Sequence, residues 1–165
     1  MTRTQSVWVP AELAQYEGAL LLDTHIWIWH LEGDVSLVAP GVTALLDRAG
    51  AKAGLHVCDI SAWEVAVKAR KGKLQFSVDA MIWLRRAERA PGIRSLSLDR
   101  EILLASTMLP GAMHNDPADR MLLAAAKLNN LPLVTADAAI VEYARANPGT
   151  PVVDARPGRR PVRRA

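Results

Sequence analysis

Short apolar runs alternate along this chain with helix-like segments, and an acid stands at four of the meeting points. Asp23 follows the run at residues 19–22, and Glu64 lies in Asp59-Ile-Ser-Ala-Trp-Glu-Val after the run at residues 55–57. Asp119 lies in His114-Asn-Asp-Pro-Ala-Asp-Arg-Met, and Asp137 ends Leu133-Val-Thr-Ala-Asp. Strands alternating with helices imply right-handed crossovers and a parallel sheet covered by helices on both faces, an α/β fold. Ligands of such sheets bind at the carboxyl ends of the strands, where these four acids fall. A central sheet of about four to five strands is expected.

The segments in between support that reading. Residues 20–22 make a short buried strand, followed by the helix-like Thr24-His-Ile-Trp-Ile-Trp-His-Leu. Residues 42–49 read as a helix between Pro40-Gly41 and Gly50, and residues 55–58 as a second strand. Ser61 is expected to cap the next helix, which carries Lys68, Arg70 and Lys71 and stops at Gly72. An amphipathic helix over residues 77–89 ends at Pro91-Gly92, a strand follows at residues 93–96, and a helix over residues 99–108 stops at Pro110-Gly111. Residues 117–130 give the clearest helix, with Asp116 at the cap, Pro117 first, and Met121, Leu122, Ala125 and Leu128 on one stripe. A strand at residues 131–135, a helix at 137–146 and a strand at 151–153 complete the series.

At 165 residues and 50% hydrophobic, the chain suits one domain with a sizeable core, assigned to residues 19–154. Residues 1–18 read as an N-terminal extension holding at most a short helix over residues 11–16. Residues 155–165 read as a basic, disordered tail, because two prolines and a glycine interrupt its arginines. Removing Arg156, Arg159, Arg160, Arg163 and Arg164 turns the formal charge of +3 into −2, so the basicity belongs to the tail. Such a tail suits RNA phosphates or an acidic partner, or it adds only solubility.

Cys58 is the only cysteine, which excludes an internal disulfide and suits a reducing compartment. Neither the N-terminus nor the run at residues 19–22 has the apolar length of a signal peptide or membrane span, so a cytoplasmic protein without membrane contact is expected. His25, His30, His56 and His114 lack the paired short spacings of a zinc site. Trp27, Trp29, Trp63 and Trp83 fit packing better than base stacking.

Each acid taken singly has a structural account. Asp23 can be an N-cap, and Glu64 the capping-box partner of Ser61. Asp116 and Asp119 can be a cap and an acid favoured by the positive end of the helix, and Asp137 can open the last helix with the Thr135 hydroxyl bonding in the same turn. Capping leaves unexplained why all four junctions offer a carboxylate where serine, threonine or asparagine would cap as well. Gathered at one sheet edge, the acids would repel one another. A hard divalent cation such as Mg²⁺ or Mn²⁺ removes that penalty, prefers oxygen ligands and can acidify a water for attack on a phosphodiester. One ion or two would both fit.

The stretches Leu20-Leu-Leu-Asp-Thr-His-Ile-Trp, Ser61-Ala-Trp-Glu-Val-Ala-Val-Lys, Leu109-Pro through His114-Asn-Asp-Pro-Ala-Asp-Arg-Met-Leu-Leu-Ala-Ala-Ala, and Leu133-Val-Thr-Ala-Asp resemble the PIN-domain ribonucleases, and among them the VapC toxins of toxin–antitoxin pairs. The resemblance spans most of residues 20–140 and implies a Mg²⁺-dependent endoribonuclease, with Mn²⁺ as a substitute. Its catalytic and metal-holding acids would be Asp23, Glu64, Asp119 and Asp137, with Asp116 near the site as cap or outer carboxylate. Thr24, Ser61 and Thr135 would orient carboxylates or waters, and His114 and Arg120 are candidate RNA contacts. The resemblance also implies a homodimer, a VapB-type antitoxin whose C-terminal segment wraps the groove, and structured RNA, often transfer RNA, as substrate. The late first acid, at residue 23, and the arginine tail depart from the pattern.

Two other readings compete. A phosphatase with Asp23 as nucleophile, like the haloacid-dehalogenase enzymes, is weakened because His25 stands where those enzymes carry a second aspartate. A non-catalytic RNA- or antitoxin-binding module with the same fold would be expected to have lost at least one acid, and none is missing.

Overall fold

Leu20, Leu21 and Leu22 are all fully buried, which requires a strand covered on both faces, because successive side chains of a strand point to opposite sides. A computed structural model describes residues 6–111 and 116–157. Its strands are β1 (Val7–Trp8), β2 (Leu20–Leu22), β3 (Leu55–Cys58), β4 (Ile93–Leu96), β5 (Leu133–Thr135) and β6 (Val152–Asp154). Its α-helices are α1 (Thr24–Glu32), α2 (Val42–Ala51), α3 (Asp59–Arg70), α4 (Ala80–Ala87), α5 (Arg100–Thr107), α6 (Pro117–Asn129) and α7 (Ala138–Ala146). The strands form one sheet in the order β1-β6-β5-β2-β3-β4, every pair parallel.

The alternation along the strands sorts the core into two layers. Leu20, Leu22, Leu55, Val57 and Val134 pack with Trp27 of α1, Leu45 of α2, Val65 of α3 and Trp83 of α4. Leu21, Leu133 and Val152 pack on the other side with Ile102 of α5, Leu122 and Leu123 of α6 and Ile140 of α7. Trp27 and Trp83 meet edge to face, with ring centroids 5.3 Å apart, and both are buried as packing residues.

The sheet has six strands rather than four or five, and the added one lies in the segment read as an extension. Val7 and Trp8 pair with Val152 and Val153, and the Val152 N–H donates to the Ser6 carbonyl at 2.8 Å. Trp8 is buried there, and Leu13 of the following 3₁₀ turn, Pro10–Leu13, is buried as well. Two residues are too short for a period to show, and Pro10 two positions on reads as a breaker. At the other end, the Ala155 N–H donates to Thr135 O at 2.8 Å, and Arg156 grips Asp154 through two bonds of 2.8 and 2.6 Å. Residues 155–157 thus follow the sheet, and the other four tail arginines lie outside the described residues.

Two helix starts differ from expectation. Asp79 caps α4 by accepting from Met81 N and Ile82 N, so that helix begins at Ala80 rather than near residue 77. Cys58 holds the N-cap position of α3, which therefore begins at Asp59, before Ser61. The turn into β4 closes tightly on α2: Gly92 has φ +84°, and a Cβ there would stand 2.7 Å from Gly50 O. Among the described residues, no helix is long and apolar enough to cross a membrane.

Candidate functional site

β2 and β5 are neighbours, but α1 leaves β2 toward one face and α7 leaves β5 toward the other. That divergence makes the carboxyl ends of the two strands the switch point at which such sheets bind ligands. Asp23 stands just past β2 and Asp137 two residues past β5, so both lie at this edge.

Thr135, the last residue of β5, joins them. Its hydroxyl donates to Asp23 Oδ2 at 2.5 Å and accepts the Asp137 backbone N–H at 2.9 Å. Asp23 holds the N-cap position of α1 without making a side-chain cap bond, so the capping account of this acid does not apply. Its other oxygen, Oδ1, lies 3.4 Å from His25 Nδ1. His25 Nε2 accepts the Ala136 N–H at 2.9 Å, which leaves the proton of the neutral ring on Nδ1, facing Asp23. Asp137 does cap its helix, accepting from Ala139 N and Ile140 N at 2.7 and 3.1 Å.

Glu64 arrives from α3, and the early start of that helix changes its role. Ser61 is the third helical residue and Glu64 the sixth, so they cannot form the expected capping box. Both turn instead toward Thr24, whose Oγ1 lies 2.6 Å from Glu64 Oε2 and 3.0 Å from Ser61 Oγ. With one proton to give, Thr24 donates to the carboxylate, which can only accept, and the Ser61 hydroxyl completes the chain. Glu64 Oε1 forms an ion pair with Lys68 one turn on. Burial pulls the Lys68 pKa down, but the Glu64 hydrogen bond and the charges of Glu64, Asp23 and Asp119 outweigh it, and the net shift is upward.

Asp119 lies half-buried in the first turn of α6, beyond Asp116, which caps that helix through Ala118 N at 2.9 Å. Burial, then the charges of Asp23, Asp116, Asp137 and Glu64, push the Asp119 pKa up to about 7. Three of these charges come from other elements, Asp23 past β2, Asp137 before α7 and Glu64 on α3, whereas Asp116 is the cap of the same helix. Arg120 points the other way: its guanidinium donates to the Ser106 and Thr107 carbonyls, tying α6 to the end of α5. His114 lies outside the described residues.

Carboxylates with supporting hydroxyls make a hard oxygen donor set, which fits Mg²⁺ or Mn²⁺ and not a soft metal. Among the described residues, no three His, Cys, Asp or Glu side chains are grouped as a metal site as they stand. Glu64 is held by Lys68 and Thr24, and Asp23 by Thr135 and His25. An ion drawing on Asp23, Glu64, Asp119 and Asp137 would have to take Glu64 from Lys68.

Residues 20–146 match the PIN domain. The chain belongs to the PIN-domain family. This PIN domain is 25% identical over 131 residues to Ribonuclease VapC22 of Mycobacterium tuberculosis (strain ATCC 25618 / H37Rv), covering 79% of this chain and 96% of that protein. Its fold is similar to that in the crystal structure of VapBC2 from Rickettsia felis bound to a DNA fragment from its promoter. The TM-score is 0.56 at 12% identity, over 81% of this chain and 96% of that one. A toxin–antitoxin complex from Klebsiella pneumoniae aligns with a TM-score of 0.49 at 22% identity, over 82% and 96% of the two chains.

In the sequence Lys68 reads only as one of the basic residues carried by its helix. Its position four residues after Glu64 was the available signal, since such pairs meet on one helix face. Trp63, expected to pack in the core or at a dimer contact, is 59% exposed in this chain and borders an open groove of about 820 Å³ with Val67, Leu74, Phe76 and Met81.

Proposed function

We propose that this PIN domain is a Mg²⁺-dependent endoribonuclease, with Mn²⁺ able to replace Mg²⁺, and that it serves as the toxin of a toxin–antitoxin pair. The observation that carries the reading is the Asp119 carboxyl, raised first by burial and then by the charges of Asp23, Asp116, Asp137 and Glu64. Asp23, Glu64, Asp119 and Asp137 would hold the ion, with Asp116 as an outer carboxylate. When bound, such an ion polarises a phosphate and lowers the pKa of an attacking water. Thr135 and His25 fix the two oxygens of Asp23, and Thr24 with Ser61 aims Glu64.

The substrate we assign is RNA, structured RNA such as transfer RNA in particular, and the setting cytoplasmic. The similarity to Ribonuclease VapC22 supports RNA as the substrate. A VapB-type antitoxin would cover the apolar groove beside Trp63. A homodimer would cover the exposed Leu103 and Leu104 of α5, Met108 just past it and Leu128 at the end of α6.

The test is cleavage of RNA by Asp23→Ala, Glu64→Ala and Asp119→Ala. Each should lose at least about a hundredfold in rate, more than an outer-shell change costs, while circular dichroism shows the fold kept. Undiminished cleavage in all three would sink the metal-site reading.

A further inference from the structure

Lys68 deserves a role of its own because of where its ammonium sits. It pairs with Glu64 Oε1, while Thr24 holds Glu64 Oε2 at 2.6 Å, so both oxygens of this acid are engaged, one of them by a cation. Asp23 and Asp119 act on the same ammonium. Glutamate four residues before lysine on a helix is the favourable order for such a pair, so α3 alone is enough to form it.

We propose that Lys68 is an internal counter-ion, which occupies Glu64 while the site is free of metal and must leave it before a divalent ion is held. Lys68 then sets the metal concentration at which the site fills. This rests on the reading of the four acids as a metal site. A single ammonium cannot balance that many carboxylates, whereas a divalent ion brings twice the charge and accepts several oxygens at once. The exchange needs no buried charge, because the Lys68 side chain is 47% exposed and can swing its ammonium into water.

The test is Mn²⁺ binding by calorimetry to the full-length protein, comparing wild type, Lys68→Met, Glu64→Gln and the double variant. Competition predicts that Lys68→Met tightens Mn²⁺ binding by about fivefold, the scale of one partly exposed ion pair. In the Glu64→Gln background the same change should leave affinity unaltered, because the carboxylate being contested is gone. The melting temperature of the metal-free protein should follow the same pattern, with Lys68→Met lowering it in wild type and not beside Glu64→Gln. Equal tightening in both backgrounds would reveal a general field of positive charge and overturn the proposal. Unchanged affinity in Lys68→Met would overturn it too, and leave the metal reading intact. No Mn²⁺ binding by wild type would overturn both.

Discussion

Thr135 gives its one proton to Asp23 and receives the Asp137 N–H, so a single hydroxyl links the carboxylate of Asp23 to the backbone of Asp137. Thr135→Val keeps the shape of the buried side chain and removes both bonds. We expect it to weaken Mn²⁺ binding by about 10- to 100-fold, as loss of an orienting partner does, with calorimetry as the measurement. An affinity within twofold of wild type would mean that Asp23 and Asp137 are placed by the backbone alone. At this scale the sequence was legible in kind and less so in detail. Asp23, Asp119 and Asp137 could be named because each follows a clear apolar run or a Pro-opened helix. The partners of Glu64 could not, because the Ser61-x-x-Glu64 spacing fits a capping box equally well and only the start of α3 at Asp59 excludes it.

Asp137 shows how one residue can serve both an element and a site. It caps α7 through Ala139 and Ile140, and it is one of the acids that raise the Asp119 pKa. Asp137→Asn should keep the cap and hold stability close to wild type, whereas Asp137→Ala should cost about 1 kcal/mol in urea unfolding. Both should weaken Mn²⁺ binding, since both remove the charge. If the two variants unfold alike, the cap contributes nothing. Elements with strong terminators were readable from the chain: α6 runs from the Asp116 cap to Asn129, and β3 and β4 fall at the strands expected over residues 55–58 and 93–96. β1 was not, because Val7 and Trp8 become a strand only when β6 supplies the partner, more than 140 residues away in the chain.

Across the whole molecule, the fold half-buries Asp119 within the field of acids from other elements, and stability should record this. Burial and the neighbouring acids raise the Asp119 pKa from 3.8 to about 7. Between those values the folded, metal-free protein keeps a proton that the unfolded chain has released. The contribution of this group is therefore fully present below about pH 4 and is lost as pH rises through about 7. Urea unfolding of the chelator-treated protein from pH 5 to pH 8 should show that decline, and Asp119→Asn should flatten it. A slope unchanged by Asp119→Asn would assign the pH dependence elsewhere. The proposed metal-dependent cleavage is tested on RNA incubated with the purified wild-type protein, first with Mg²⁺, then in chelator, then with Mg²⁺ restored. Discrete fragments should appear, cease and return. Cleavage that continues undiminished in chelator, or well-folded protein that leaves RNA intact with Mg²⁺ and with Mn²⁺, would contradict that proposal.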